Sequence, residues 1–194
     1  MYPNSERSTS TLEWFAAQVW PGRERVCAAH LSVRGYEVFL PCYRERRQWS
    51  DRMKTVERAL FAGYVFCRLS GEVFAKVVTT PGVIRIVGDG RRPLPVAGDE
   101  IEALQSMTAS KLAYEPSELL EAGQRVRVIA GPLADCEGLV VRSKGRHRLV
   151  ITVSLLRRSV AVEINPDWLC PVAAAPFDGV PGWSPTPAVA RPLR

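Results

Sequence analysis

The hydrophobic periodicity of the sequence changes at residue 119, and this change constrains the fold more than any other feature. From Leu119 onward the apolar residues alternate with polar ones. Val126 and Val128 are separated by arginines, and residues 149–162 continue the period of two. Glycines and prolines lie between these segments. Short alternating strands with regularly spaced turns predict a small closed barrel over residues 119–171.

The first hundred residues mix strand and helix patterns instead. Residues 14–20 have the aromatic and aliphatic content of a strand, and residues 23–34 carry a helical apolar stripe followed by a glycine. Residues 60–69 form a strongly apolar strand pattern, and residues 99–107 a further amphipathic helix. The whole pattern, β-α-β-β-α-β-α, predicts a small domain over residues 12–109 in which strands and helices pack together.

Three segments have compositions that fit neither domain. Residues 1–11 are polar and predict a disordered leader. Residues 110–118 contain Pro116 and few apolar side chains, which predicts a linker. Residues 172–194 are rich in proline and predict a disordered tail.

Composition and cysteine spacing exclude several classes of protein. Apolar residues make up 46% of the chain, which is enough to bury a core, yet no apolar run approaches the roughly 20 residues that span a bilayer. Five widely spaced cysteines, with no Cys-x-x-Cys pair and two histidines, argue against a zinc site or a disulfide framework. We therefore expect a cytoplasmic monomer that needs no metal or cofactor.

The net charge of +6 is unevenly distributed. Six basic residues lie between Arg44 and Arg58, and further basic clusters occupy residues 142–148 and 157–158. A single cluster of this kind is most often a solvated surface. Together they indicate contact with a polyanion, of which nucleic acid is the commonest in the cytosol.

Motifs in both parts resemble one family. Residues 122–141 read AGQRVRVIAGPLADCEGLVV, which resembles a KOW motif, and residues 149–164 resemble the distal strands of the same domain. In the first part, LFAGYVF at residues 60–66 and TTPGVIRIVG at residues 79–88 are similar to the NGN domain of NusG-type transcription factors. Ribosomal KOW proteins lack this N-terminal pattern.

This resemblance implies an α+β fold and a protein partner. The expected NGN domain is a four-stranded antiparallel sheet flanked by helices, and the KOW domain is a small SH3-like β-barrel. NGN domains grip the clamp helices of the largest RNA polymerase subunit in an apolar concavity. The matching positions are Phe15, Pro41, Phe61, Tyr64, Phe66, Ile84 and Ile86. Core packing is the simpler interpretation of Tyr64 and Phe66, whereas Phe61 suits either core or contact.

The resemblance also implies contact with the non-template DNA strand in the transcription bubble. The first predicted helix can place basic side chains together, and His30 matches a position with which the specialised paralogue RfaH touches that strand. The charged segment that follows, a long loop or an exposed hairpin, combines arginines with an aromatic side chain that can stack on an unpaired base. The candidate nucleic-acid contacts are Arg23, Arg25, His30, Arg34, Arg44, Arg46, Arg47 and Trp49.

The KOW domain is expected to recruit a second partner, which in housekeeping NusG is Rho or the ribosomal protein NusE. The matching positions are Leu133, Leu156, Arg157 and Arg158. This chain has Leu155–Leu156–Arg157 where Phe-Gly-Arg is usual, and Cys136 replaces an aromatic. These departures argue against Rho and resemble the specialised RfaH, UpxY and LoaP antiterminators. The β-branched alternation over residues 150–164 nevertheless predicts a barrel and not the helical hairpin of RfaH.

The leading hypothesis is therefore a transcription elongation or antitermination factor that performs no covalent chemistry. A ribosome-associated or RNA-binding KOW protein is the alternative, motivated by the basic residues 142–148. An enzyme is the third hypothesis, because Cys27 and His30 are spaced i, i+3 on one predicted helix and could form an activated nucleophile. The sequence shows no third group to orient such a pair.

Overall fold

The computed structural model of the chain describes residues 11–48, 52–117, 123–143 and 146–172. The predicted leader (1–11) and tail (172–194) lie almost entirely outside the described residues, and so does Trp49. The predictions made for these segments stay predictions.

The N-terminal domain contains an antiparallel sheet flanked by helices, as predicted. Its elements are β1 (Glu13–Val19), α1 (Glu24–Val33), β2 (Glu37–Phe39), β3 (Cys42–Gln48), β4 (Met53–Ala59), β5 (Tyr64–Leu69), α2 (Phe74–Val78), β6 (Val83–Ile86) and α3 (Gly98–Ala109). Four of the strands form one sheet in the order β2-β5-β1-β6, and every pair in it is antiparallel.

Alternation along the two central strands gives this sheet two apolar faces. Phe15 lies opposite Cys67 in the register, and both are buried in a cluster with Leu31 of α1. Their neighbours Ala16 and Phe66 are also opposite each other, and they belong to a second cluster that includes residues of α3. Helices α1 and α2 therefore cover one face, and α3 covers part of the other.

The charged segment between β2 and β5 is a hairpin. Strands β3 and β4 pair from Cys42↔Ala59 at the base to Gln48↔Met53 near the tip, and they form a sheet of their own. An ion pair of 3.1 Å between Arg58 and Glu45 lies along one side. The hairpin was one of the two forms expected for this segment, and its base adjoins the sheet where Leu60 N donates to the carbonyl of Pro41 at 2.8 Å.

The C-terminal domain is a six-stranded antiparallel sheet around a single core, which fits the predicted SH3-like barrel. Its strands are β7 (Tyr114–Ser117), β8 (Gln124–Val128), β9 (Glu137–Ser143), β10 (Arg146–Val153), β11 (Arg158–Glu163) and β12 (Leu169–Pro171), and they are ordered β12-β8-β9-β10-β11-β7. We call these strands the barrel domain. Residues 146–163 are strands joined by one short 3₁₀ turn, so the expectation of β structure here is confirmed.

The predicted alternation holds along β10, with one instructive exception. Leu149, Ile151 and Val153 are buried in the barrel core. Val150 should lie outside by its period, yet it is 1% exposed. Strand β10 packs against α3 of the first domain, and this contact buries the outer side of the strand as well.

The segment predicted as a linker contains a strand. Residues 114–117 form β7, which extends the barrel sheet by pairing with β11 from Ser159↔Ser117 to Val162↔Tyr114. Glu115 of β7 is ion-paired with Arg148 of β10. The polar composition misled the sequence prediction, because the stability of this strand comes from an edge that β11 provides.

The described residues contain no membrane-spanning helix and no group of metal ligands. None of the described helices is long and apolar enough to cross a membrane. No three His, Cys, Asp or Glu side chains in this part of the chain are grouped so that they could hold a metal ion. The five cysteines are all free thiols.

Candidate partner-binding and nucleic-acid interface

An aromatic group lies on the sheet face opposite α1 and α2. Phe66 stacks on Phe39 with ring centroids 6.1 Å apart, and it meets Phe61 edge-on at 5.6 Å. Trp14 meets Phe39 edge-on at 6.4 Å. Phe61 and Phe66 are 2% and 0% exposed, whereas Tyr64 is only half-buried. Trp14 and Phe39 are half-buried as well, so Tyr64 is the predicted polymerase contact of this group that has surface left for a partner.

The other predicted polymerase contacts do not share this surface. Phe15 is buried against Phe74 of α2, with ring centroids 4.8 Å apart, and Ile86 belongs to the same cluster on the helix-covered face. Ile84 is 39% exposed near the start of its edge strand, and Pro41 is buried at the base of the hairpin. A partner role for these four residues stays a prediction.

The barrel domain covers part of the aromatic face. The guanidinium carbon of Arg158 lies 5.3 Å from the centroid of the Tyr64 ring, which is a cation–π contact. Nearby, the backbone N–H of Ser154 donates to Glu100 of α3 at 3.1 Å. One buried cluster of apolar side chains runs from this face of the sheet through α3 into the barrel core. The two domains are therefore packed together.

Two of the predicted KOW partner contacts lie at or beside this domain interface. Arg158 contacts Tyr64, and Leu156 packs against the cluster that both domains share. Arg157 is exposed with a left-handed backbone (φ 51°), whereas Leu133 is 1% exposed in the core. The structure thus brings a candidate polymerase contact and a candidate KOW contact against each other.

Two of the predicted nucleic-acid contacts at α1 bind other elements of the same domain. Arg34 donates to the carbonyl of Lys76 at 2.8 Å and to the buried Thr80 hydroxyl at 2.9 Å, so its guanidinium ties α1 to the end of α2. Arg25 forms a 2.7 Å ion pair with Glu57 of the hairpin. Both arginines therefore already hold elements of the domain together.

The remaining two contacts, one on α1 and one directly before it, lie beside an exposed tryptophan that the sequence analysis did not single out. Arg23 and His30 line a cavity of about 430 Å³ together with Trp20, Val26 and Pro81. Trp20 is 63% exposed. An exposed indole next to cationic side chains is a stacking surface for an unpaired base. The position of this tryptophan directly before Pro21, at the end of a strand, was the signal that could have identified it.

The hairpin presents further cations to solvent. Arg44 and Arg46 are exposed on β3, and Arg47 lies on the same strand. Trp49, predicted to stack on a base near the tip, lies outside the described residues. The described part of the hairpin thus supplies the basic surface but does not test the aromatic contact.

The thiols of the N-terminal domain are poorly suited to act as nucleophiles. Cys27 is fully buried, and its pKa is raised by burial and by the neighbouring Glu24 carboxylate, which favours the neutral thiol. Burial also raises the pKa of Cys67 to about 12. His30 is exposed on α1, on the side that lines the Trp20 cavity. These environments argue against the Cys27–His30 enzyme hypothesis.

Comparison with known proteins gives consistent similarity along the chain. The family model described as "Transcription termination factor nusG" matches residues 12–105. The transcription termination/antitermination protein NusG of Thermus thermophilus is 27% identical over 177 residues, covering 80% of this chain and 96% of the relative. The NusG protein of Vibrio cholerae is 30% identical over 166 residues, covering 78% of this chain and 91% of the relative.

A solved structure supports the same fold. The structure of Thermotoga maritima NusG, reported for its domain interaction, aligns with a TM-score of 0.53 and 19% identity. The alignment covers 84% of this chain and 98% of that one.

Proposed function

The chain belongs to the NusG family, and on that premise we propose that it is a transcription elongation and antitermination factor that binds RNA polymerase and modulates pausing and termination. Its relatives are named for termination and antitermination. The observation that carries the proposal is the aromatic face around Tyr64, because a sheet face lined with aromatic side chains is suited to receive a helix of a partner. The factor acts in the cytoplasm as a monomer and performs no covalent chemistry.

In this proposal the clamp helices of polymerase pack on Tyr64, and Tyr64 in turn packs against the buried cluster that contains Phe61 and Phe66. A few aromatic anchors supply most of the affinity of such an interface. A factor that bridges the clamp keeps it closed around nucleic acid, which suppresses pausing. The pair of Arg23 and His30, with Trp20 beside them, holds the non-template DNA strand.

The packed barrel domain implies an exchange of partners. Because Arg158 lies over Tyr64, polymerase and the barrel compete for the same ring. Once displaced, the barrel presents Leu156 and Arg158 to a second partner, of which the ribosomal protein NusE is a better match than Rho. The Leu155–Leu156–Arg157 run supports a specialised antiterminator over a housekeeping factor.

An in vitro transcription assay with core polymerase and a pause-containing template tests the proposal. We expect the purified protein to reduce pausing and lengthen transcripts, and Tyr64→Ser to lose this effect. Ile129→Ser, which changes an apolar side chain that is 61% exposed on the barrel, is the control and should behave like the parent. An inert protein that instead binds structured RNA tightly in the absence of polymerase would favour the KOW RNA-binding alternative.

A further inference from the structure

A cavity of about 750 Å³ lies where the base of the hairpin meets α1 and the connection that follows α3. We call it the hairpin-base cavity. The end of β2 and the first residues of β3 form one wall, and Arg25 of α1 forms another. Lys111, from the connection that follows α3, and Tyr114, the first residue of β7, close the third side. Its volume is in the range of cavities that bind small ligands.

Three cationic side chains line this cavity, against one carboxylate. Arg25 is paired with Glu57 at 2.7 Å. The other two cations that line the cavity are Arg44 and Lys111. Within the described residues, neither of these two side chains has a hydrogen-bond or ion-pair partner. Elsewhere on the hairpin, by contrast, Arg58 is neutralised by Glu45 at 3.1 Å. The hairpin-base cavity therefore has an excess of positive charge that the described structure does not balance.

We propose that the hairpin-base cavity binds a phosphate group, held by Arg44 and Lys111 and completed by Arg25. A guanidinium and an ammonium are the two side-chain groups that most often hold phosphate oxygens, and each hydrogen bond to an anion is charge-assisted. Arg25 reaches the cavity as the partner of Glu57. The half-buried ring of Tyr43, in the same wall, gives a sugar or base a surface to pack on.

The inference rests on the proposed function in one respect, because the phosphate is assigned to the backbone of the non-template DNA strand, which the family resemblance places along α1 and the hairpin. Lys111 then becomes a contact from outside those two elements. The Tyr114 hydroxyl donates to the carbonyl of Cys42 at 2.7 Å, so the start of β7 is already attached to the hairpin base. A bound phosphate would join the hairpin, α1 and the start of the barrel connection at one point.

Fluorescence anisotropy with a labelled 12-nucleotide single-stranded DNA tests the site in the full chain. We expect Lys111→Ala to weaken binding about two- to fivefold and to lower the slope of log affinity against log salt by about one. Arg91→Ala removes an exposed cation that does not line the cavity, so it is the matched control and should leave both values near those of the parent. Equal effects of the two substitutions would overturn the site.

Two competitors identify the source of the anion. Pyrophosphate and unlabelled oligonucleotide are each tested for displacing labelled DNA from the parent. If pyrophosphate is the weaker competitor, the strand backbone is the ligand. If pyrophosphate is the stronger competitor, the cavity binds a free phosphate compound. A polyglutamate peptide that binds the parent but not Lys111→Ala, without competition from phosphate, would overturn the phosphate assignment.

Polymerase binding is measured in parallel. If Lys111→Ala keeps both polymerase and DNA affinity, this site fails while the proposed function stands, and a parent that lacks polymerase affinity refutes the function separately.

Discussion

At the scale of single residues, the buried Glu24 shows how one side chain joins two elements. Its carboxylate accepts hydrogen bonds from the backbone N–H groups of Gly63 at 2.8 Å and Gly22 at 3.1 Å. Burial by itself raises the pKa of Glu24, but hydrogen bonds from the backbone N–H groups of Gly63, of Glu24 itself and of Gly22 together outweigh it and lower the pKa below its usual value. The ionised carboxylate therefore stabilises the contact between the start of α1 and the turn before β5.

This pKa direction predicts a pH-dependent effect of Glu24→Gln. A lowered pKa in the folded state means that the ionised carboxylate contributes stability above the unfolded pKa of about 4.3, and that this contribution is lost as the pH falls through the folded value. We expect Glu24→Gln to lower the free energy of unfolding by about 1 kcal/mol at pH 7. The difference from the parent should shrink below a pH of about 4.3.

Urea unfolding of the two proteins between pH 7 and pH 3 measures this difference. Glu102→Gln changes an exposed carboxylate of α3 and serves as the control, which should stay within about 0.5 kcal/mol of the parent at each pH. A Glu24→Gln effect of the same size at pH 7 and pH 3 would show that the charge of Glu24 has no role.

At the scale of elements, α1 is flanked by two arginines that have different surroundings. Arg34 is bonded to the end of α2, whereas Arg23 lines the cavity beside Trp20 and has no hydrogen-bond or ion-pair partner for its side chain among the described residues. The sequence placed both in one nucleic-acid surface. The structure assigns Arg34 a contact within the domain, and its role with DNA stays a prediction.

Matched substitutions should separate these two roles. We expect Arg34→Met to lower the free energy of unfolding by about 1 kcal/mol, because Lys76 and Thr80 lose a charged donor. Arg23→Met should change stability by less than about 0.5 kcal/mol and weaken single-stranded DNA binding about two- to fivefold. Chemical denaturation and anisotropy on the same preparations measure both values. An Arg23→Met variant that loses stability, together with an Arg34→Met variant that keeps stability and loses DNA binding, would contradict this division.

The sequence predicted elements well wherever their hydrophobic period reports on a nearby core. The barrel strands followed from the alternation around Val128 and Ile151, and the sheet of the first domain followed from its family motifs. Strand β7 could not be predicted, because its pairing depends on the edge of β11. The contact between Arg158 and Tyr64 and the cation cluster around Lys111 could not be predicted either, because each joins residues that are distant in the sequence.

At the scale of the whole molecule, the packing of the two domains decides which surfaces are free. Helix α3 and the barrel both pack on the aromatic face, and the barrel contacts its half-buried Tyr64. Residues that the sequence assigned to separate partners therefore contact each other. In our account, binding of polymerase to Tyr64 requires that Arg158 leaves the ring, so the barrel and polymerase are alternative occupants of one surface.

The dissociation constant of the full-length protein for core RNA polymerase, measured for the parent, Tyr64→Ser and Arg158→Ser, tests this central claim most directly. We predict that the parent binds, that Tyr64→Ser weakens binding about tenfold as an interface anchor should, and that Arg158→Ser tightens it about two- to fivefold by removing the competing cation–π contact. Circular dichroism establishes that each variant is folded. A folded Tyr64→Ser variant with the affinity of the parent, or a folded Arg158→Ser variant that binds more weakly than the parent, would contradict the account.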